Sequence, residues 1–252
     1  WNGALHSLRL HGGAAGAVLT AQEVIDDYTR TADRLRAIPA EPIVTNGLVQ
    51  HFDAANNTGG RAPASASIEN RAWVNLVNPE QKSIATNYPN VNANEGWQAA
   101  GAASSWGVKA AAANYHTFWP RNTASLSTSQ ISVDGWVRAT SRPTYGGVTA
   151  WVNDTGWATN GYGLAFSGAS GNMMFWTQDY TKAATSSTQL PLNRWVHVAG
   201  TYNNALGSAN VKYYENATQK GTANNTDTIT WPASTDKATT LGYAYGGTYW
   251  DG

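Results

Sequence analysis

Short segments with alternating apolar and polar residues constrain the fold of this chain more than any other feature. Alternation with a period of two places one side of a strand in a core and the other side toward polar surroundings. Such segments recur, with Gly, Asn, Asp and Ser between them, at residues 48–52, 131–138, 163–166, 172–176, 195–202, 211–216 and 239–243. The pattern predicts an all-β, two-sheet antiparallel sandwich. The stretch 78–113 is less regular, and we expect long loops there.

One short helix precedes the strands. Thr20 and Glu23 have the spacing of a capping box, in which each side chain satisfies a free backbone N–H. An apolar stripe follows at helical spacing: Val24, Tyr28, Ala32 and Leu35. The helix is predicted from Thr20 to Arg36, because Pro39 cannot continue it. Residues 38–45 then form an extended linker.

The composition excludes several functions. Lys and Arg number 16 and Asp and Glu number 16, so the formal net charge is zero. Nucleic acid is therefore not an expected partner, since phosphates require an excess of basic residues. No apolar run reaches the ~20 residues that cross a bilayer, so membrane insertion is not expected. Cysteine is absent, and the neutral balance removes repulsion between copies. Because the chain begins at Trp1, we expect a mature product or an excerpt.

Residues 47–252 resemble a known family. The matching segments are Gly47–Ala55, Trp73–Leu76, Ile131–Val137 and Asn193–Tyr202, the last followed by Tyr213–Asn216. They are similar to the laminin-G-like, concanavalin-A-like jelly-roll superfamily, particularly its bacterial members. The resemblance implies a jelly roll and an extracellular or cell-surface location. It leaves the function open, because this fold hosts lectins, hydrolases and scaffolds.

The N-terminus resembles the closing strand and short helix of the same family, displaced to the front of the chain. Trp1-Asn2-Gly3 also recurs as Trp250-Asp251-Gly252 with one Asn/Asp exchange. Three arrangements fit: one period of a tandem array, a circular permutant that closes its own sandwich, or a protomer whose strand 1–10 completes a neighbour. The repeated motif weakens the permutant, since a closed domain needs it once. We therefore divide the chain into a docking segment 1–38, a linker 39–46 and a jelly roll 47–252.

Two functional hypotheses follow. The first is a non-catalytic extracellular protomer or repeat that joins copies of itself head to tail, by strand complementation, into a fibre, sheath or large adhesin. Its predicted contacts are Trp1, Leu5, Leu8, Leu10, Val24, Tyr28, Leu35 and Trp250. The alternative is a carbohydrate-binding adhesion module of a multidomain surface protein. Its predicted platform for an extracellular glycan is Trp119, Trp151, Trp157, Trp176, Tyr145 and Tyr162.

The sequence does not favour an enzyme. A glucanase of this fold needs closely spaced carboxylates on one strand, and a Glu-x-Asp-x-x-Glu arrangement is absent. Asp134 and Asp179 are the nearest candidates, and each stands alone. His197 is interpreted as a hydrogen-bonded structural histidine. We predict no catalytic residue.

Calcium is the one ion that the resemblance implies, at the rim of a sheet, and no other cofactor is expected. Hard oxygen ligands suit it. The candidate ligands are Asp53, Asn56, Asp154 and Asp251, each of which also favours an Asx turn.

Overall fold

The computed structural model describes most of the chain. The described residues are 7–12, 18–34, 46–53, 73–79, 82–86, 96–99, 106–109, 115–119, 126, 128–152, 161–226, 238–242 and 250. They contain one α-helix, α1 (Ala21–Arg34), and one short 3-10 helix (Gly168–Ser170). The strands are β1 (Ser7–Gly12), β2 (Leu48–Asp53), β3 (Lys82–Thr86), β4 (Gly96–Ala99), β5 (Trp106–Lys109), β6 (Tyr115–Trp119), β7 (Gln130–Val137), β8 (Gly147–Val152), β9 (Tyr162–Phe166), β10 (Asn172–Thr177), β11 (Asp179–Gln189), β12 (Val196–Asn203), β13 (Val211–Glu215), β14 (Thr218–Ala223) and β15 (Ala238–Leu241).

The strands form two antiparallel sheets packed face to face. One sheet has the order β14-β13-β12-β7-β1-β2, and the other has the order β11-β10-β9-β8-β15-β6-β3. A separate hairpin joins β4 and β5. Alternate residues of each sheet point inward and form a core that includes Phe52, Val133, Phe166, Phe175 and Tyr213. The predicted two-sheet jelly-roll sandwich with one helix is confirmed.

Long loops are predicted for the stretch 78–113, and most of its residues between strands lie outside the described part of the chain. Its three short strands, β3, β4 and β5, were not predicted. These strands are only four or five residues long, so each offers too few alternations for the period of two to stand out. The other predicted strands agree with the structure to within one or two residues at most of their ends, the usual uncertainty of strand boundaries.

Strand β1 lies inside the six-stranded sheet of its own chain. Its register pairs Leu10 with Gln50 of β2 on one side and with Val133 of β7 on the other. Leu10 therefore enters the core beside Phe52 and Val133. Within one chain, this is the arrangement expected of the permutant.

Helix α1 covers the outer face of the six-stranded sheet. The predicted capping box is present: the Thr20 hydroxyl accepts from the Glu23 N–H at 3.2 Å, and a Glu23 carboxylate oxygen accepts from the Thr20 N–H at 2.7 Å. Val24 is buried against Leu19, Ala199 and Tyr214. The helix does not form a separate unit, because its apolar face belongs to the sandwich. No helix within the described residues is long and apolar enough to cross a membrane.

Candidate functional site

A cluster of buried charged side chains lies between α1 and the six-stranded sheet. Arg9 of β1 directs its Nε to Asp134 of β7 at 2.9 Å, and one terminal nitrogen contacts the same carboxylate oxygen. Its other terminal nitrogen lies 3.3 Å from Asp27 of α1. His197 of β12 places Nε2 3.2 Å from Asp134. We call Arg9, Asp27, Asp134 and His197 the ion cluster; none is more than 1% exposed.

Strand register brings these residues together. Arg9 and Asp134 are directly opposite on neighbouring strands, and they point outward because Leu10 and Val133 point into the core. Asp27 lies one helical turn after the buried Val24, on the same side of α1. The sheet supplies one carboxylate and the helix the other, so the guanidinium joins three elements of the fold.

The electrostatics keep Arg9 charged. Burial lowers the pKa of the guanidinium, but the carboxylates of Asp134 and Asp27, with a further contribution from Asp53, outweigh it and raise the pKa above its ordinary value. Two buried carboxylates therefore share one permanent cation. A buried pair of this kind is costly to break, since either partner left alone is an uncompensated charge.

The ion cluster is suited to holding the fold together rather than to chemistry. Each of its four side chains is buried, so a substrate has no direct approach to the carboxylates. Asp134, a candidate for hydrolysis, is instead held by Arg9 and His197, neither of which is a carboxylate. The interpretation of His197 as a hydrogen-bonded structural histidine is confirmed. Arg9 was not predicted; its signal was a charged residue between the two leucines of β1.

His197 gives the protein a predicted pH dependence. Burial lowers the pKa of its imidazole below 6.5, Asp134 opposes this effect, and Arg9 adds to it. Tyr28 and Trp136 complete its surroundings. Above pH 6.5 the contribution of the neutral His197 to the free energy of unfolding is fully present. Below pH 6.5 the imidazole takes up a proton in the unfolded chain more readily than in the folded chain, so the free energy of unfolding falls. Urea unfolding at about pH 7.5 and about pH 5.5 should show a smaller loss in His197→Gln than in the unmodified chain. An equal loss in both would contradict the assignment.

A second feature is a pair of exposed tyrosines beside the seven-stranded sheet. Tyr145 precedes β8 and Tyr180 lies near the start of β11; their rings are 6.4 Å apart at 69°. They are 37% and 45% exposed. Tyr145 has a φ of +57°, a left-handed conformation that bulky residues rarely adopt. A Cβ at Gly168 would lie 3.6 Å from the Tyr145 hydroxyl oxygen, so the ring packs over this glycine. We call Tyr145 and Tyr180 the tyrosine pair.

The other predicted glycan contacts divide into two groups. Tyr162 and Trp176 are 1% and 0% exposed, so neither ring face is available, and their assignment as stacking platforms was wrong. Tyr162 points into the core, and Trp176 is covered together with Met174, Ala165 and Ala183. Trp119 and Trp151 lie in β6 and β8, but their side chains, like the whole of Trp157, lie outside the described residues. Tyr180 was not predicted; an aromatic residue in the hydroxyl-rich segment 179–189 was its only signal.

A small cavity borders the start of α1. Its volume is about 170 Å³, and its walls include Leu19, Thr20 and Ala21 on one side and Thr201, Lys212 and Tyr214 of β12 and β13 on the other. Lys212 has no ion-pair partner among the described residues. The cavity therefore lies between the N-terminal segment and the outer face of the six-stranded sheet.

The predicted assembly contacts pack within the chain wherever their side chains are described. Val24 is buried, Tyr28 stacks on Trp136 at 5.7 Å, and Trp250 stacks on Phe166 at 5.2 Å. Leu10 is in the core. In this structure Leu10, Val24, Tyr28 and Trp250 all make their contacts within one chain. Leu8 lies in β1, but its side chain is outside the described residues, as are Trp1, Leu5 and Leu35 entirely.

Most of the predicted calcium ligands lie outside the described residues. Asp53 is the one candidate ligand among them; it is 1% exposed and interacts electrostatically with Arg9, whose fixed positive charge opposes a second cation. Across the described part of the chain, no three His, Cys, Asp or Glu side chains are arranged to hold a metal ion. Asn56, Asp154 and Asp251 lie outside it, and calcium binding there stays a prediction.

Comparison with known proteins places this geometry in context. Residues 110–252 match the family described as the concanavalin A-like lectin/glucanases superfamily. No curated protein matches the sequence. A heptameric SAP-like pentraxin from Limulus polyphemus is 13% identical with a TM-score of 0.36, over 49% of this chain and 59% of the pentraxin. The carbohydrate binding module CBM66 from Bacillus subtilis is also 13% identical, with a TM-score of 0.23, over 59% of this chain and 92% of the module. Both scores are low, so the fold assignment rests on the strand topology and the family match.

Proposed function

The chain belongs to the concanavalin A-like lectin/glucanases superfamily, and from this premise we propose that it is a non-catalytic, extracellular carbohydrate-binding module. The observation that carries the proposal is the tyrosine pair. The family supplies the expectation of a lectin or a glucanase, and two observations favour the lectin. Two exposed aromatic rings are suited to binding. Of the two carboxylates considered for hydrolysis, Asp134 is buried in the ion cluster, and the side chain of Asp179 lies outside the described residues.

The geometry of the tyrosine pair suits a sugar. A tyrosine ring offers an apolar face for the C–H groups of a pyranose and a hydroxyl for its polar edge. Because the two rings meet at 69° rather than lying parallel, they present two differently oriented surfaces to one ligand. A neutral glycan fits this surface, since the chain carries no net charge and aromatic anchors do not require a charged ligand.

The tyrosine pair is also held in place before binding. A hydrogen bond from the Gly146 N–H to the Pro143 carbonyl, 3.0 Å long, closes the turn that carries Tyr145. The ring packs over Gly168, where any side chain would contact it. A fixed ring loses less conformational entropy on binding than a mobile one. The unusual φ of Tyr145 is consistent with a site that is held in a strained conformation.

The test of this proposal is a loss of glycan affinity. A glycan array with the unmodified chain should identify ligands, and titration calorimetry should then measure their affinity. Tyr145→Ala and Tyr180→Ala should each weaken binding by roughly tenfold, because truncation of an aromatic anchor typically removes more than 1 kcal/mol.

The matched control is Ile25→Ala. Ile25 is 39% exposed, comparable to the tyrosines, but lies on α1 over the opposite sheet. The glycan affinity of Ile25→Ala should equal that of the unmodified chain. If the array shows no glycan, or if both tyrosine variants bind as the unmodified chain does, the tyrosine pair is not a carbohydrate site and the proposal fails.

A further inference from the structure

We propose that residues 7–34, the N-terminal arm, are exchanged between two copies of this chain, so that β1 and α1 of one copy complete the sandwich of the other. This inference goes beyond glycan binding and involves a different surface. The partner is a second copy of the same chain. Self-assembly was a hypothesis of the sequence; the structure adds the surface, the register and the residues that select the partner.

The contacts that the described residues of the arm make are ones that a second copy would reproduce. β1 hydrogen-bonds to β2 on one side and to β7 on the other, Leu10 enters the core, and Val24 packs on Ala199 and Tyr214. The Leu19 N–H also donates to the Ser132 hydroxyl at 2.8 Å. Exchange keeps all of these contacts and changes only the path of the segment that connects α1 to β2. Its free-energy cost is therefore confined to the connecting residues and to bringing two chains together.

The ion cluster makes the slot between β2 and β7 selective for this arm. Arg9 meets Asp134 of the sandwich only in the observed register, while Asp27 belongs to the same arm as Arg9 and travels with it. A slip of one residue would move Arg9 into the core and Leu10 outward, because side chains alternate between the two faces. A strand without a cation at this position would leave the Asp134 carboxylate buried without its ion pair. The slot thus accepts the same strand from another copy and rejects an unrelated one.

The connection is long enough for exchange. Residues 35–47 lie between the end of α1 and the start of β2, and a connection of roughly 13 residues spans at most about 45 Å. That reach is comparable to the size of one sandwich of this length.

A repeated motif also favours a second copy as the partner. Trp1-Asn2-Gly3 lies just ahead of β1, and Trp250-Asp251-Gly252 repeats it. Trp250 is seated in the core against Phe166. The sandwich thus already seats the tryptophan of one copy of the motif, while the other copy precedes the arm in the sequence. A chain with two such motifs and one slot is suited to joining its neighbours.

Exchange would make the cavity beside α1 a shared site. Leu19, Thr20 and Ala21 belong to the arm, whereas Thr201, Lys212 and Tyr214 belong to the sandwich. In an exchanged pair each cavity takes one wall from each copy. The cavity is incomplete without an arm, whichever copy supplies it.

Cysteine pairing tests the inference directly, because the chain has no cysteine of its own. Leu10 and Val133 are opposite one another in the β1–β7 register, close to the separation that a disulfide requires. Two differently tagged chains, one with Leu10→Cys and one with Val133→Cys, should be co-expressed and oxidised. Exchange predicts a disulfide-linked species that carries both tags.

Two controls make the outcome decisive. A chain with both substitutions must form the Leu10→Cys/Val133→Cys disulfide, which shows that the geometry permits it; if it does not, Leu10→Cys with Gln50→Cys replaces the pair. Ala165→Cys and Met174→Cys, opposite one another outside the arm, should not link two chains. If the bond forms within single chains and co-expressed chains never link, exchange is overturned. Glycan affinity is measured separately, so either proposal fails without the other.

Discussion

Arg9→Met should lower the free energy of unfolding by about 3–5 kcal/mol, since removing one partner of a buried ion pair leaves an uncompensated charge. In this variant Asp134 and Asp27 would remain buried without the guanidinium that neutralises them. Methionine keeps much of the length of the side chain, so the loss reports on charge more than on an empty space. Urea unfolding followed by tryptophan fluorescence measures the change.

The control for this prediction is Arg194→Met, because Arg194 is exposed and such substitutions usually change stability by less than about 0.5 kcal/mol. A loss of under about 1 kcal/mol in Arg9→Met would show that the ion cluster does not hold β1 and α1 on the sandwich. In that case the register argument for arm exchange would weaken as well. The Arg9 substitution therefore tests the foundation of the arm proposal, while the cysteine experiment tests its geometry.

The sequence predicted the elements of the fold because they depend on local patterns. The capping box of Thr20 and Glu23 needs only residues three apart, and it is present. The alternation of Val196, Val198 and Tyr202 places one face of β12 in the core. The ion cluster could not be predicted in the same way, because Arg9 and Asp134 are 125 residues apart. Only the register between β1 and β7 brings them together.

The candidate binding site was harder to predict than the fold. Tyr162 alternates with Leu164 and Phe166, so its inward direction was available from the pattern. Trp176 has the opposite parity to Phe175, yet it is buried in a cluster with Ala150, Ala165 and Met174, against which Ala183 packs. Tyr145 was predicted to lie in or beside a loop, and it lies in a turn with its side chain 37% exposed, while its glycan contact stays a prediction. Tyr180 needed the three-dimensional contact with Tyr145 to be recognised.

Gly200→Ala should lower the free energy of unfolding by about 1–3 kcal/mol or slightly more, since added volume in a well-packed core forces neighbours out of position. Gly200 lies on the core side of β12, and a Cβ there would overlap the Phe175 ring of β10 from the facing sheet. The ring is fully buried, so it has little room to move. The absence of a side chain at this position lets the two sheets approach. Urea unfolding measures the loss.

A double-mutant cycle distinguishes this overlap from a general intolerance of change in β12. Phe175→Ala removes Cγ and the ring, which the added methyl group would meet first, so the paired substitutions should cost less than the sum of the two single ones. If the paired substitutions cost at least about 1 kcal/mol less than the sum of the two single ones, residues 200 and 175 are in direct contact between the facing sheets. Strict additivity would place the cost of Gly200→Ala in the backbone of β12 instead. The register with β7 and β13, where Gly200 pairs with Val133 and Tyr213, would then be the feature that requires glycine.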